Sequence, residues 1–179
     1  MKSFIILSAA AVLVVVFALG SGVYNMGASE KHWAITEKAI TWVRESSIKA
    51  HAKNLVVPTI DETEIATTGA YHYDSMCIIC HLAPGLEPTE LSIGLYPQPP
   101  EFYERAPVTD MEEKLNQTKK YFWVIKNGIK MTGMPAWGAT HDDESIWAIA
   151  KFVLKLHGMT PEQYGAFIVT DHGHGDHHQ

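Results

Sequence analysis

The chain opens on an apolar run that no other segment approaches. No charge occurs between Lys2 and Glu30, and Phe4 to Leu19 reads FIILSAAAVLVVVFAL, 16 residues almost without a polar side chain. A bilayer core takes about 20 helical residues. The strong run therefore lies between a signal-peptide core and a full span, and the weaker stretch through Met26 brings it to spanning length. Two readings compete. A cleaved signal would use Ala18-Leu19-Gly20 as a small-x-small site. A retained anchor would hold Lys2 inside, with Tyr24 and Trp33 near the far interface. The charge-free stretch beyond the cleavage point favours the anchor over the signal, and the terminal position with the lone preceding Lys2 disfavours a buried core helix. Either exported reading puts the rest of the chain outside the cytoplasm.

Beyond it the pattern turns helical. Trp33 to about Lys53 carries Ile35, Ala39, Trp42 and Val43 at helical spacing, with charges between them. This segment predicts either a spacer between membrane and domain or a helix packed on the domain. Asp61 to Met76 predicts the first core helix, with Asp61 as N-cap and Glu62 and Glu64 in the first turn. Pro84 to Pro107 holds six of the nine prolines, so it predicts a long ordered loop. Asn116 to Asn127 predicts a helix stopped by Gly128. Thr140 to His157 shows the clearest apolar stripe, from Ile146 to Leu154. Its start is read as a capping box of Thr140 and Asp143, and its end as Gly158. Thr160-Pro161-Glu162 opens one more short helix. No strand pair and no repeat is visible, so the class is all-α. The divisions expected are an anchor over 1–29, a helical spacer over 30–60, a core domain over 61–168 and a His-rich disordered tail over 169–179.

Composition narrows the function. Fourteen Lys and Arg stand against 20 Asp and Glu, a net charge of −6 with no basic block, which disfavours a nucleic-acid partner. Two cysteines exclude a disulfide scaffold and any four-Cys zinc or iron–sulfur site. In the tail, His172, His174, His177 and His178 with Asp171 and Asp176 are a weak divalent-metal candidate, since the glycines between them fix no geometry. Asn116-Gln117-Thr118 matches a glycosylation sequon, a pattern common by chance.

Both cysteines fall in Cys77-Ile78-Ile79-Cys80-His81, the C-x-x-C-H attachment signature of c-type haem. Thiols three positions apart on a helical turn reach the two vinyl groups on one porphyrin edge, and the adjacent histidine supplies an axial nitrogen. A structural disulfide and a thioredoxin-like dithiol are the competing readings, and the second lacks its βαβ context. Met134 is the candidate for the opposite axial position. Gly133 and Pro135 break the local backbone, so a thioether can point inward from a loop. Met131 reads as core filler. His141 and His157 read as surface histidines and as weaker rivals for the iron.

Gly69, Tyr73, Cys77, Cys80 and His81, then a proline-rich loop, Gly133-Met134-Pro135 and a last helix with Phe152, together resemble class I c-type cytochromes. The chain is most similar to membrane-anchored bacterial mono-haem members, which also carry a Tyr-Asn and a His-Trp pair past the anchor, as Tyr24-Asn25 and His32-Trp33 do here. The resemblance covers Glu62 to Leu156, and in its anchored form nearly the whole chain. It implies a cytochrome c fold of three to five helices around one covalent haem c. Cys77 and Cys80 would attach the haem, and His81 and Met134 would bind the iron. It implies that Gly69 lets the first core helix approach the last, across Phe152. It implies a hydrogen bond from the His81 ring to the Pro84 carbonyl. Trp123 and Trp137 read as haem-pocket aromatics or plain core.

The expected function is single-electron transfer between periplasmic or membrane redox partners, without catalysis at the metal. The expected location is the bacterial inner membrane, single-pass, with the haem domain in the periplasm; signal cleavage would instead leave a soluble periplasmic protein. A haem-bearing subunit of a larger oxidoreductase and a ligand-binding sensory or catalytic haem protein are the alternatives.

Overall fold

The computed structural model describes the backbone of residues 1–172 and side chains through residue 168. Its regular structure is helical, with no strand among the described residues. The proposed metal ligands of the tail from His174 onward lie outside the described residues.

Helix α1 (Lys2–Gly20) has no buried residue and a mean hydropathy of 2.7 over its best window. Nineteen residues reach about 28 Å at 1.5 Å each, close to a bilayer core. It is long and apolar enough to cross a membrane, as a signal sequence can also be. The stretch from Ser21 to Met26 does not extend it. Ser21 Oγ turns back to the Ala18 carbonyl at 2.8 Å, and Gly22 takes a positive φ of 77°. The chain then folds into an aromatic cluster. Tyr24 Oη bonds His32 Nδ1 at 2.7 Å, Trp33 meets the Tyr24 ring edge-on, and the His32 amide donates to Tyr96 Oη at 3.1 Å.

Helix α2 (Ala34–Ala52) follows the expected span and packs on the core rather than standing free. Ile48 and Ala52 are buried, and His51 stacks on Trp123 at 5.3 Å.

Helix α3 runs over residues 62–81. Asp61 caps it, its carboxylate accepting the Glu64 amide at 2.8 Å. The helix reaches five residues past the expected Met76 and contains two π-form stretches, Ile65–Ala70 and Tyr73–Cys77, before an α-helical turn at Ile78–His81. It ends at Leu82, which adopts a φ of 57°.

The proline-rich stretch is ordered but not bare loop. A short helix α4 (Glu90–Gly94) forms there because Thr89 and Ser92 cap it reciprocally, and a 3₁₀ turn covers Phe102–Glu104. Helix α5 (Met111–Asn127) starts five residues before the expected Asn116. Its first turn is polar, with Met111 and Leu115 exposed, so no apolar stripe marks it. Asp110 is the cap, accepting the Glu113 amide at 2.8 Å. Asp110→Ala is expected to cost about 1 kcal/mol, and Asp110→Asn only a few tenths, in denaturant unfolding.

Helix α6 (Asp143–Lys155) is shorter than expected at both ends. Asp142, not Thr140, caps it by accepting the Ser145 amide at 2.8 Å. The Thr140 hydroxyl instead pairs with His141 Nδ1 at 2.9 Å. Helix α7 (Pro161–His172) begins where Thr160-Pro161 predicts and continues through the first four residues assigned to the tail. Tyr164 Oη ties it to Asp74 of α3 at 2.7 Å.

The core lies where α3 crosses α6. A Cβ on Gly69 would sit 2.5 Å from the Ala148 carbonyl oxygen and 3.1 Å from Phe152 Cβ. That is the close approach expected of Gly69. Tyr73 packs on Phe152 at 5.6 Å, and Phe122 of α5 stacks on Trp147 at 3.8 Å.

Candidate functional site

Cys77 and Cys80 stand three positions apart at the end of α3, where the widened π turn gives way to an α-turn. No disulfide joins them. Cys77 packs partly buried against the core, with its Sγ 3.8 Å from the His72 carbonyl oxygen. Burial, with the neighbouring Cys80 adding to it, pushes the Cys77 thiol up to about 12. Burial also raises Cys80. Catalytic dithiols and thiolate metal sites lower these values to keep a thiolate at neutral pH. Both shifts here run the other way, which counts against a redox dithiol.

His81 closes the same turn. Its Nδ1 is 3.0 Å from the Pro100 carbonyl oxygen, and its ring lies nearly parallel to Phe102, 4.9 Å between centroids. With Nδ1 donating to that carbonyl, Nε2 is the ring nitrogen left for a metal. The partner is therefore Pro100 and not Pro84. After Leu82 the chain turns inward, burying Leu82 and Ala83, and the Leu82 carbonyl is taken by Tyr73 Oη at 2.8 Å. The backbone returns to His81 only at Pro100. Burial lowers the His81 pKa, and the Pro100 hydrogen bond opposes it.

Met134 sits partly buried against the same core cluster as Cys77. Its backbone is tied on both sides. The amide donates to Thr132 Oγ1 at 3.1 Å, and the carbonyl accepts from the Ile129 amide at 3.3 Å. Gly128 makes room for this loop. Its φ is 65°, and a Cβ there would lie 2.7 Å from the Met134 carbonyl oxygen and 2.8 Å from the Pro135 carbonyl carbon. Gly128→Ala is thus expected to displace the Met134 backbone as well as strain the end of α5. Loss of any optical signature of methionine on iron, in protein that remains helical, would show it. Met131, three residues away, is not core filler: it is 86% exposed, at a φ of 61°.

The remaining candidates separate. Trp137 packs on the core cluster and meets His141 edge-on at 5.5 Å, whereas Trp123 faces α2. His141 lies 5.0 Å from the His72 ring. His157 is not a surface residue. It is 7% exposed, its Nε2 is 2.7 Å from Tyr121 Oη, and Arg105 also donates to that hydroxyl at 2.9 Å. Arg105 in turn lies over the Phe102 ring at 5.2 Å, beside His81. Sequence reasoning missed Pro100, Phe102, Arg105 and Tyr121, because no local pattern links residues brought together across such separations.

Burial lowers the His157 pKa from 6.5, with Arg105 acting in the same direction and the Ala106 backbone opposing. The folded protein then binds this proton less readily than the unfolded chain. Stability is fully present above the unfolded value and declines as pH falls through 6.5 toward the lower folded value. His157→Gln is expected to flatten the loss of stability between about pH 7 and about pH 5, read from denaturant midpoints.

The donor set fits a c-type haem: two neutral thiols on one turn, an imidazole with Nε2 free, and a thioether in a fixed loop. No group of three or more His, Cys, Asp or Glu among the described residues could hold a metal ion by itself. Residues 64–153, half of the chain, match the family model described as cytochrome C oxidase, cbb3-type, subunit III. That span includes all four candidate residues and the α3–α6 crossing. No curated protein and no solved structure matches.

Proposed function

The chain belongs to that c-type cytochrome family, and from this premise we propose that it carries single electrons through one covalent haem c between membrane or periplasmic redox partners. Cys77 and Cys80 would hold the haem through thioethers, and His81 Nε2 and Met134 Sδ would bind its iron. The bound haem supplies a one-electron iron couple. The chain's own residues set the conditions. Pro100 orients the His81 imidazole and makes it a stronger donor. Phe102 and the α3–α6 core keep that face dry. Thioether ligation at Met134 raises the potential relative to a second histidine. With His81 and Met134 both holding the iron, no substrate would reach the metal, which supports a carrier over an enzyme.

The observation carrying this reading is the His81–Pro100 bond, which leaves Nε2 available on the turn that bears both cysteines. Residues 61–168 form the haem domain, 30–60 a helical segment packed on it and 1–29 an anchor in the bacterial inner membrane, with the haem domain in the periplasm. An absorption spectrum of the purified holoprotein with its pyridine derivative tests the assignment. One haem c per chain and a weak near-infrared band of the oxidised form are expected. Rapid carbon monoxide binding to the reduced protein at neutral pH would instead establish a ligand-binding haem protein. A second reading, a haem-bearing subunit of a larger oxidoreductase, is favoured by the match to a family described as subunit III of a cbb3-type cytochrome c oxidase. Co-purification with other subunits in mild detergent would support it.

A further inference from the structure

Helix α2 carries two contact faces, and the core uses only one. Ile48 and Ala52 turn inward, while Ile35, Trp42 and Val43 are 73%, 72% and 58% exposed. These three, with Ala39 between them, recur at helical spacing on a single outward face, and Lys38 and Lys49 flank it on the same side. A helix that simply covered the domain would be polar there. Trp33, at the N-cap, is 54% exposed.

We infer that the outward face of α2 lies in the headgroup region of the bilayer that holds α1. The inference rests on the retained-anchor reading. Several observations select lipid as the occupant. Only 13 residues separate Gly20 from Ala34, so an embedded α1 delivers the start of α2 to the surface. Those residues are folded back by the Tyr24–His32–Trp33 cluster, which shortens the reach further. Tryptophan prefers the water–hydrocarbon boundary. Flanking lysines suit anionic headgroups and can extend their ammonium groups past the apolar stripe. Since α2 packs on α5 by its other face, lipid contact would fix the orientation of the haem domain on the membrane.

The test uses the full-length holoprotein reconstituted in vesicles of phosphatidylcholine and phosphatidylglycerol in equal parts. A phospholipid with a photoreactive diazirine at the glycerol end of its acyl chain is included, and labelled peptides are mapped by mass spectrometry. Label is expected on α1 and on residues 39–44, and not on the exposed first turn of α5. Trp42→Glu combined with Val43→Glu should reduce label on α2 to the α5 background while leaving label on α1 and the haem spectrum unchanged. Label on α1 alone overturns the inference and leaves the anchor standing. Label on neither helix overturns the anchor reading itself.

Discussion

Met134→Ala should give a protein that still contains haem but has lost the near-infrared band of the oxidised form, binds carbon monoxide rapidly when reduced, and has a lower midpoint potential. The shift should be on the order of a tenth of a volt or more, within the ~0.8 V that axial ligands span. The fold should survive, because the loop is held by its backbone. Thr132 Oγ1 accepts the residue 134 amide, Ile129 donates to its carbonyl, and neither bond uses the side chain. The attachment turn at Cys77 and Cys80 is likewise untouched. Met131→Ala is the paired control. Met131 lies two residues before Gly133 but is exposed to solvent, so its loss should change neither spectrum nor potential. An unaltered spectrum in Met134→Ala, or the same changes in Met131→Ala, would assign the sixth ligand elsewhere.

Gly69→Ala should be the most damaging one-carbon change in the core. Alanine is the better helix former by about 0.5–1 kcal/mol, so propensity alone predicts a gain. Sterics reverse the sign. The added Cβ would lie 2.5 Å from the Ala148 carbonyl oxygen and 2.8 Å from its carbon. Those are backbone atoms of α6, which cannot swing aside as a side-chain tip can. Helices α3 and α6 must separate, and overpacking of this kind costs about 1–3 kcal/mol. For a domain near 100 residues, each kcal/mol lowers the melting temperature by about 4–8 °C. Gly94→Ala provides the contrast: that site has nothing within 4 Å of a new Cβ and should be close to neutral. A melting temperature for Gly69→Ala at or above wild type would show that the crossing can relax.

The parts of the fold legible in the sequence were those whose physics is local. The apolar run of α1, the periodicity of α2 and α6, the Asp61 cap and the Gly128 stop each depend on a few adjacent residues. The C-x-x-C-H signature is readable for the same reason, since one turn places all three donors. Errors arose where neighbours compete. Thr140 and Asp142 are both good caps, and the hydroxyl is diverted to His141. The polar first turn of α5 hides a helix start behind Asp110. Prolines masked α4, although Thr89 and Ser92 suffice to cap it. What the sequence could not reveal is long-range. His157 is buried because Tyr121 and Arg105 reach it from other elements. The His81 ring finds a carbonyl 19 residues away and not three, because the nearer backbone has turned into the core.

The small knot of rings that joins Tyr24, His32 and Trp33 to Tyr96 limits how far the redox centre can travel. As a free coil, the residues between α1 and α2 would let the domain wander by about 20 Å. Folded back onto Tyr96, four residues before the carbonyl that grips His81, they leave almost no slack. With α1 kept in a bilayer as proposed, a protein built this way would be a relay station and not a courier: it would wait at one height above the membrane, and donor and acceptor would each have to come within tunnelling range of that spot.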